Sequence, residues 1–291
     1  MKSSGTFFSN KFCWSVVVFG ILLSGCAASK ISKNSFYFIQ MSDPQFGMFD
    51  DNKSFEKETL NFTRAIQEAN RLKPAFVVVT GDLVNRAFDT AQIAEYKRIS
   101  RQLDSNIPLY NVPGNHDVGN TPNPENIAAY RKEFDADYYS FNYKSMLGIV
   151  LNSVYLHSPE NVPMQAMEQE KWLLKTLHEA RSKNYDHIIV FLHHPFFLNQ
   201  KDEADQYFNI PQTTRKKYLD IFKVNGIKYV FAGHYHRNAF GKDGGIEMVT
   251  TGPVGKPLGN DLSGLRIINI NGTSVTHQYY SLDSIAQKVI K

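Results

Sequence analysis

Short apolar runs alternate along this chain with longer segments whose apolar residues recur every three or four positions. Phe36–Met41 is a first strand-like run, and Ser54–Leu72 reads as an amphipathic helix through residues such as Leu60, Phe62 and Ile66. Ala75–Thr80, β-branched and bounded by Pro74 and Gly81, predicts a buried strand. The alternation continues with a helix over Thr90–Leu103, a strand at Ile107–Val112, a helix near Asn126–Phe134 and strands at Tyr138–Tyr143 and Leu147–Ser153. Gln165–Ser182 is a long helix with Trp172, Leu173, Leu174 and Leu177 as its core-facing stripe. A strand at His187–Leu192, a helix at Thr213–Val224 and a strand at Ile227–Ala232 follow. The tail differs: Ile246–Thr251, Leu265–Ile270 and Ser274–Ser281 are strands with no helix between them. Strand–helix alternation followed by strands alone predicts an α/β layered domain with mixed sheets. Nothing resembling a repeat or a Pro/Ser-rich linker divides the chain, so one domain is expected over residues 36–291.

Before residue 36 the pattern changes. Lys2 and Lys11 flank a short polar stretch, and Phe12 to Leu23 is almost wholly apolar: too short to span a bilayer comfortably, but suited to the h-region of a signal peptide. It ends in Leu23-Ser24-Gly25-Cys26, which resembles a bacterial lipobox. The resemblance implies a lipoprotein signal peptide over residues 1–25, a lipid on the Cys26 thiol, and a small, polar tether over 26–35. An uncleaved anchor helix or a chance cysteine is the alternative. The reading places the protein in a bacterial cell envelope, lipid-anchored, facing the periplasm or the cell surface.

Composition narrows the chemistry. Of 291 residues 42% are hydrophobic and 21% charged, ordinary for a globular protein with a sizeable core. The net charge of +4 is modest and the basic residues are not clustered, so no nucleic-acid partner is expected. Removing Lys2 and Lys11 with the leader leaves 30 of the 32 Lys+Arg against 28 Asp+Glu, close to neutral. Of the two cysteines, Cys13 lies in the apolar run and Cys26 at the lipid site. The folded domain would then hold no thiol, which excludes disulfides, thiolate ligands and cysteine nucleophiles there.

The chemically loaded residues follow strand ends, where open α/β sheets place their sites. Asp43-Pro44-Gln45 follows the first strand, Gly81-Asp82-Leu83-Val84-Asn85 the second and Gly114-Asn115-His116-Asp117 the third. His193-His194-Pro195 and Gly233-His234-Tyr235-His236 follow two later ones. Singly, each is a weak signal, since Gly-Asp is usually a turn and His-His-Pro a strand end. Five such exits in one chain argue for a shared partner, because clustered imidazoles are costly to bury unpaired. Carboxylate, imidazole and amide oxygen suit Mn, Fe, Zn or Mg. His157, His178, His187 and His277 lie outside these motifs and read as surface or structural, and Asn152 as a structural hydrogen-bonding residue.

In order and spacing these motifs resemble the calcineurin-like metallophosphoesterase family, over about Phe36 to His236. The resemblance implies a four-layer α/β/β/α sandwich of two mixed β-sheets flanked by helices, and a site for two divalent metal ions. Asp82 would bridge the ions. The first would take Asp43 and His236, with Gln45 as a further ligand, and the second Asn115, His193 and His234. His193 is favoured over His194 because the family's ligand lies two residues before the proline. Ions ~3.5–4 Å apart would bind the phosphoryl oxygens and deprotonate a bridging water for in-line attack. His116 would be the general acid, with Asp117 orienting its ring and holding it protonated.

Two positions depart from the family pattern. Gln45 stands where histidine is usual; a branch of calcineurin-like phosphoesterase-domain proteins acting on phosphoproteins shares Asp-Pro-Gln-Phe-Gly with Asp43 through Gly47. A Gln carbonyl is a harder, weaker donor, so the first site should favour Mn or Mg and hold its ion less tightly; otherwise Gln45 binds only a water. Asn85 stands where purple acid phosphatases carry their iron-binding tyrosine, which excludes that subclass.

The expected activity is hydrolysis of a phosphomonoester, on a phosphorylated small-molecule or phosphoprotein substrate. The alternatives are a phosphodiesterase acting on cyclic nucleotides or glycerophosphodiesters, and a non-catalytic binding lipoprotein with a weakened metal site. Phe196–Pro211, long for a connection and mixing Asp202, Glu203 and Asp205 with Tyr207 and Phe208, is either a cover for the cleft or a surface excursion. Arg86 and Arg237 are candidates to clamp phosphate, and Gly252-Pro253-Val254-Gly255 a candidate wall.

Overall fold

The computed structural model describes residues 1–2, 4–5 and 34–285. The chain divides into Met1–Ile31 and a compact unit, Ser32–Lys291. Cys26 and most of the 1–25 leader and of the 26–35 tether lie outside the described residues. Among the described residues no helix is long and apolar enough to cross a membrane.

Among the described residues, eleven strands form two sheets. The first contains β1 (Phe36–Met41), β2 (Val77–Thr80), β3 (Leu109–Val112), β10 (Gly264–Asn271) and β11 (Ser274–Ser281), in the order β11-β10-β1-β2-β3. The second contains β4 (Tyr139–Tyr143), β5 (Met146–Val150), β6 (His187–Phe191), β7 (Tyr229–Ala232), β8 (Ala239–Asp243) and β9 (Ile246–Thr250), in the order β4-β5-β6-β7-β9-β8. Both are mixed: β1, β2 and β3 run parallel with β10 and β11 antiparallel at one edge, and β5, β6, β7 and β9 run parallel between antiparallel β4 and β8.

The period-two alternation of strand residues divides the core into layers. Phe38, Phe76, Val78, Phe141, Phe191 and Phe231 fill the space between the sheets, with Phe38 stacked on Phe76 at 4.6 Å and edge-on to Phe191 at 5.7 Å. Ile39, Met41, Val77 and Val79 face outward instead. They meet Phe62 and Ile66 of α1 (Glu56–Leu72) and Ile99 of α2 (Thr90–Ser100). On the other side Ile149, Val190 and Val230 meet Leu173 and Leu177 of α6 (Pro163–Ala180) and Phe222 of α7 (Gln212–Val224). The α/β/β/α sandwich is therefore realised.

The remaining helices are α3 (Asn115–Val118), α4 (Pro124–Phe134) and α5 (Val154–His157). The apolar pattern overreaches at two positions: Leu60 is 70% exposed and Leu174 45%, because each helix turns only one stripe inward. It also passes over β8, whose Ala-Phe-Gly-Lys-Asp lacks β-branched residues and forms an edge.

Register brings the site together. Met41 pairs with Val79 and Thr80 with Val112, while Phe191 pairs with Phe231, so the parallel strands of each sheet end nearly level. The loops after β1 and β2 continue their partnership: Asp43 N donates to Gly81 O at 3.1 Å, Gln45 N to Asp82 O at 2.8 Å and Asn85 N to Phe46 O at 3.1 Å.

Candidate metal centre

Two groups of side chains converge where the strands end. Asp82, His193 and His234 bring one ligand atom each within 4.8 Å of one another, and so do Asp43, Asp82 and His236. All five are buried, and Asp82 belongs to both groups. Reaching this point bends the backbone: Asp43, Gln45, Asp82, His234 and His236 all have φ between 40° and 69°. Left-handed conformations at non-glycine residues cost about 1–3 kcal/mol each and persist where the surroundings dictate them. Gly233 permits a still closer approach, since a Cβ there would collide with Ser42 Oγ and Asp43 Oδ2.

Main-chain carbonyls set the histidine tautomers. His193 Nδ1 lies 2.9 Å from Thr80 O, His236 Nδ1 2.6 Å from Lys256 O, and His234 Nε2 3.1 Å from Tyr207 O. A carbonyl only accepts, so each of these ring nitrogens carries the proton and the opposite one carries the lone pair. His193 Nε2 then faces Asn115 Oδ1 at 3.0 Å and Asp82 Oδ2 at 3.3 Å, and His236 Nε2 faces Asp43 Oδ1 at 3.5 Å. A lone pair opposed to oxygens is repulsive until a positive charge, a proton or a metal cation, lies between them. Gln45 adds a further donor: its Oε1 is buried with no hydrogen-bond partner. Asn115 is fixed by its nitrogen, which donates to Asn120 Oδ1 at 2.7 Å and Tyr207 Oη at 3.2 Å. This donor set fits two hard or borderline divalent cations, one near Asp43, Gln45 and His236, the other near Asn115, His193 and His234.

Electrostatics show the same demand. Burial disfavours a charged His193, but the Asp82 and Asp43 carboxylates outweigh it and raise its pKa to about 9. Burial would raise Asp82, yet the rings of His193 and His116 hold it below the usual carboxylate range. In Asp43 desolvation wins over His236 and His193, and its pKa rises. His234 is driven well below the usual range by burial and then by His193, which suits a neutral ligand.

One expected placement is corrected. Asp117 does not orient His116: Oδ1 accepts from Leu83 N and Val84 N at 2.8 and 3.1 Å, and Oδ2 from Gly114 N at 2.7 Å. The His116 ring is instead held by Asn85 O, 2.7 Å from its Nδ1, and its main-chain N donates to Asp82 Oδ1 at 2.9 Å. His194 Nδ1 meets Ser153 Oγ at 2.9 Å, and its ring stacks on His157 at 4.7 Å and lies tilted against His234 at 4.3 Å. Arg237 donates to Leu258 O and lies over Tyr235, and Arg86 is exposed. Asn152 donates to Asp137 Oδ2 at 3.0 Å, a structural bond, and His187 meets Gly272 O at 2.8 Å.

The 196–211 segment covers the site. Glu203 accepts from the main-chain N of Leu198, Asn199 and Gln200, and buried Arg215 donates to the carbonyls of Lys201, Glu203 and Ile210. Thus braced, the segment sets the Tyr207 ring 4.9 Å and the Phe208 ring 5.6 Å from that of His234. Gly252–Gly255 lies behind the first loop, with Val254 N and Gly255 N donating to Ser42 O and Asp43 O. Tyr207, Asn120, Thr80 and Lys256 are functional neighbours without a motif, since three act through the main chain or a phenol and Asn120 looks like any turn residue.

The sequence pattern of the calcineurin-like phosphoesterase family matches residues 36–238. The Homo sapiens serine/threonine-protein phosphatase CPPED1 is 40% identical over 290 residues, covering 94% of this chain and 92% of the human one. The Bos taurus protein of the same name is 40% identical over 274 residues, covering 89% and 88%. Among solved structures a dimetal phosphatase from Danio rerio has a TM-score of 0.59 at 15% identity, covering 84% of this chain and 99% of that one; this likeness concerns the fold.

Proposed function

This chain belongs to the calcineurin-like phosphoesterase family, and from that premise we propose that it is a two-metal phosphatase hydrolysing phosphomonoesters, phosphoproteins among them. The observation that carries the reading is the pair of ligand groups sharing Asp82, with the His193 and His236 lone pairs turned toward carboxylate oxygens. Two divalent cations bound there would supply Lewis acidity toward phosphoryl oxygens and lower the pKa of a coordinated water. The first would be held by Asp43, Gln45, Asp82 and His236, the second by Asp82, Asn115, His193 and His234.

The chain's own residues supply the rest. His116 has its Nδ1 on Asn85 O, which leaves Nε2 to deliver a proton to the leaving oxygen. Tyr207 and Phe208 screen the His234 side from water. A phosphoprotein substrate is supported by the human and bovine relatives, both named as serine/threonine-protein phosphatases. We also propose that Cys26 carries a lipid anchor in a bacterial envelope, on the strength of Leu23-Ser24-Gly25-Cys26 alone.

The test is turnover of p-nitrophenyl phosphate beside its bis-ester with Mn, Mg, Zn and Fe, on protein shown to be folded. The monoester should be preferred. Turnover of neither ester with any ion sinks the enzyme reading in favour of a binding protein, and preference for the bis-ester replaces phosphatase by phosphodiesterase. His116→Ala should lose about 10²–10⁴ in turnover while keeping its metal; loss of metal would assign His116 a different role.

A further inference from the structure

The carbonyl of Gln45 is useful to a cation only if its amide points oxygen-first into the site. The side chains behind it fix that choice. The main-chain N–H groups of Asn85 and Arg86 both donate to the Gln92 side chain, at 3.0 and 2.9 Å. An N–H only donates, so the receiving atom is Oε1 and the other end of Gln92 is Nε2. That nitrogen donates to Asn52 at 2.8 Å, so the Asn52 atom is its oxygen. The same oxygen receives the Asn85 amide at 2.9 Å, which must therefore present Nδ2. Asn85 is left with Oδ1 toward Gln45, which gives it Nε2 at 3.0 Å. Only Gln45 Oε1 remains, buried and unpartnered. Gly47 makes room for the relay: with φ +107°, a Cβ there would stand 2.6 Å from Gln92 Nε2 and 2.8 Å from Asn52 Oδ1.

We propose that Gln92, Asn52 and Asn85 are positioning residues whose hydrogen-bond polarity turns the Gln45 carbonyl toward the first cation, so that a glutamine serves as its ligand. The inference rests on the two-metal reading above. Gln92→Glu keeps an acceptor for the two main-chain N–H groups but has no donor for Asn52. Asn52 must then offer Nδ2, Asn85 turns its oxygen to Asn52 and its nitrogen to Gln45, and Gln45 is left facing the cation with its NH₂. Asn52→Asp adds the same charge but still accepts from both Gln92 and Asn85, so the polarity survives. Coulomb attraction alone would tighten cation binding in both variants; the relay separates them.

The measurement is calorimetric titration of the metal-stripped, folded full chain with Mn²⁺. Wild type should take up two ions. Gln92→Glu should weaken one of them about 10–100-fold and leave the other, the usual scale for losing a ligand's supporting partner, while Asn52→Asp should match wild type or bind more tightly. Replacing Gln45→His removes the dependence on amide polarity, so Gln92→Glu should then no longer weaken binding. Should Gln92→Glu not fold, Gln92→Met, which ends the relay without a buried charge, is read the same way. Two ions at wild-type affinity in the Gln92 variant, or equal weakening in Gln92→Glu and Asn52→Asp, overturns the relay alone. Fewer than two ions in wild type overturns the metal reading and the relay with it.

Discussion

Both carboxylate oxygens of Asp117 are engaged by main-chain N–H groups, and those groups belong to the two loops that carry Asp82 and Asn115. Its role at this scale is to hold backbone, with burial and the nearby Asp82 pushing its pKa well up against the pull of those donors. Removing it leaves three buried donors without a partner. Asp117→Ala should therefore lose about 3 kcal/mol of stability, read as a lower urea midpoint at unchanged slope. A variant as stable as wild type but altered in the pH profile of turnover would restore the proton-orienting role for Asp117. The same logic of partners explains His194: with Nδ1 on Ser153 and its pKa driven far down by burial and the surrounding imidazoles, it is a neutral ring supporting His234.

Among elements, β10 and β11 do more than extend the first sheet. Arg266 on β10 is buried, and it donates to Thr251 Oγ1 at 2.8 Å and Asn238 Oδ1 at 2.6 Å, both beside the second sheet. Gln40 on β1 reaches Ala232 O at 3.0 Å and receives Thr251 Oγ1 at 2.7 Å. His277 on β11 accepts from Arg266 at 2.9 Å through Nδ1 and is therefore neutral. Burial first, and then the Arg266 charge, lower its pKa from 6.5 to about 4. The unfolded chain takes up this proton first, so the stability supplied by the neutral ring is complete above about pH 6.5 and is lost as pH falls toward 4. His277→Gln, which keeps an acceptor for Arg266, should flatten the decline in denaturation midpoint across that window. Identical declines in the two proteins would remove His277 as the cause.

At the scale of the whole molecule, the site exists because two mixed sheets end their parallel strands on one edge of the sandwich. One group of candidate ligands follows β1 and β2 and is joined by His236, the other follows β2, β3, β6 and β7, and neither sheet supplies a complete set. The proposed anchor is independent of this domain, since it depends only on the thiol at Cys26. Cys26→Ser should leave melting temperature and metal uptake unchanged and release the protein from the membrane fraction. Unchanged membrane association in that variant rejects the lipid anchor.

What the sequence determined by itself was the kind and placement of the donors. Asp43, Gln45, Asp82, Asn115, His193, His234 and His236 follow apolar runs, and the alternation of runs and amphipathic segments specifies a layered α/β fold that brings strand ends together. It also located the anomaly at Gln45. What only the tertiary structure decided was which atom of each side chain is available. The proton on His193 is placed by Thr80, that on His236 by Lys256 and that on His234 by Tyr207, and the oxygen of Gln45 by an amide relay reaching back to Gln92. These partners are largely main-chain groups, identical in every residue, and amides whose two ends differ only by hydrogen-bond polarity. No motif records them, because their identity as partners is created by the packing of loops distant in the chain.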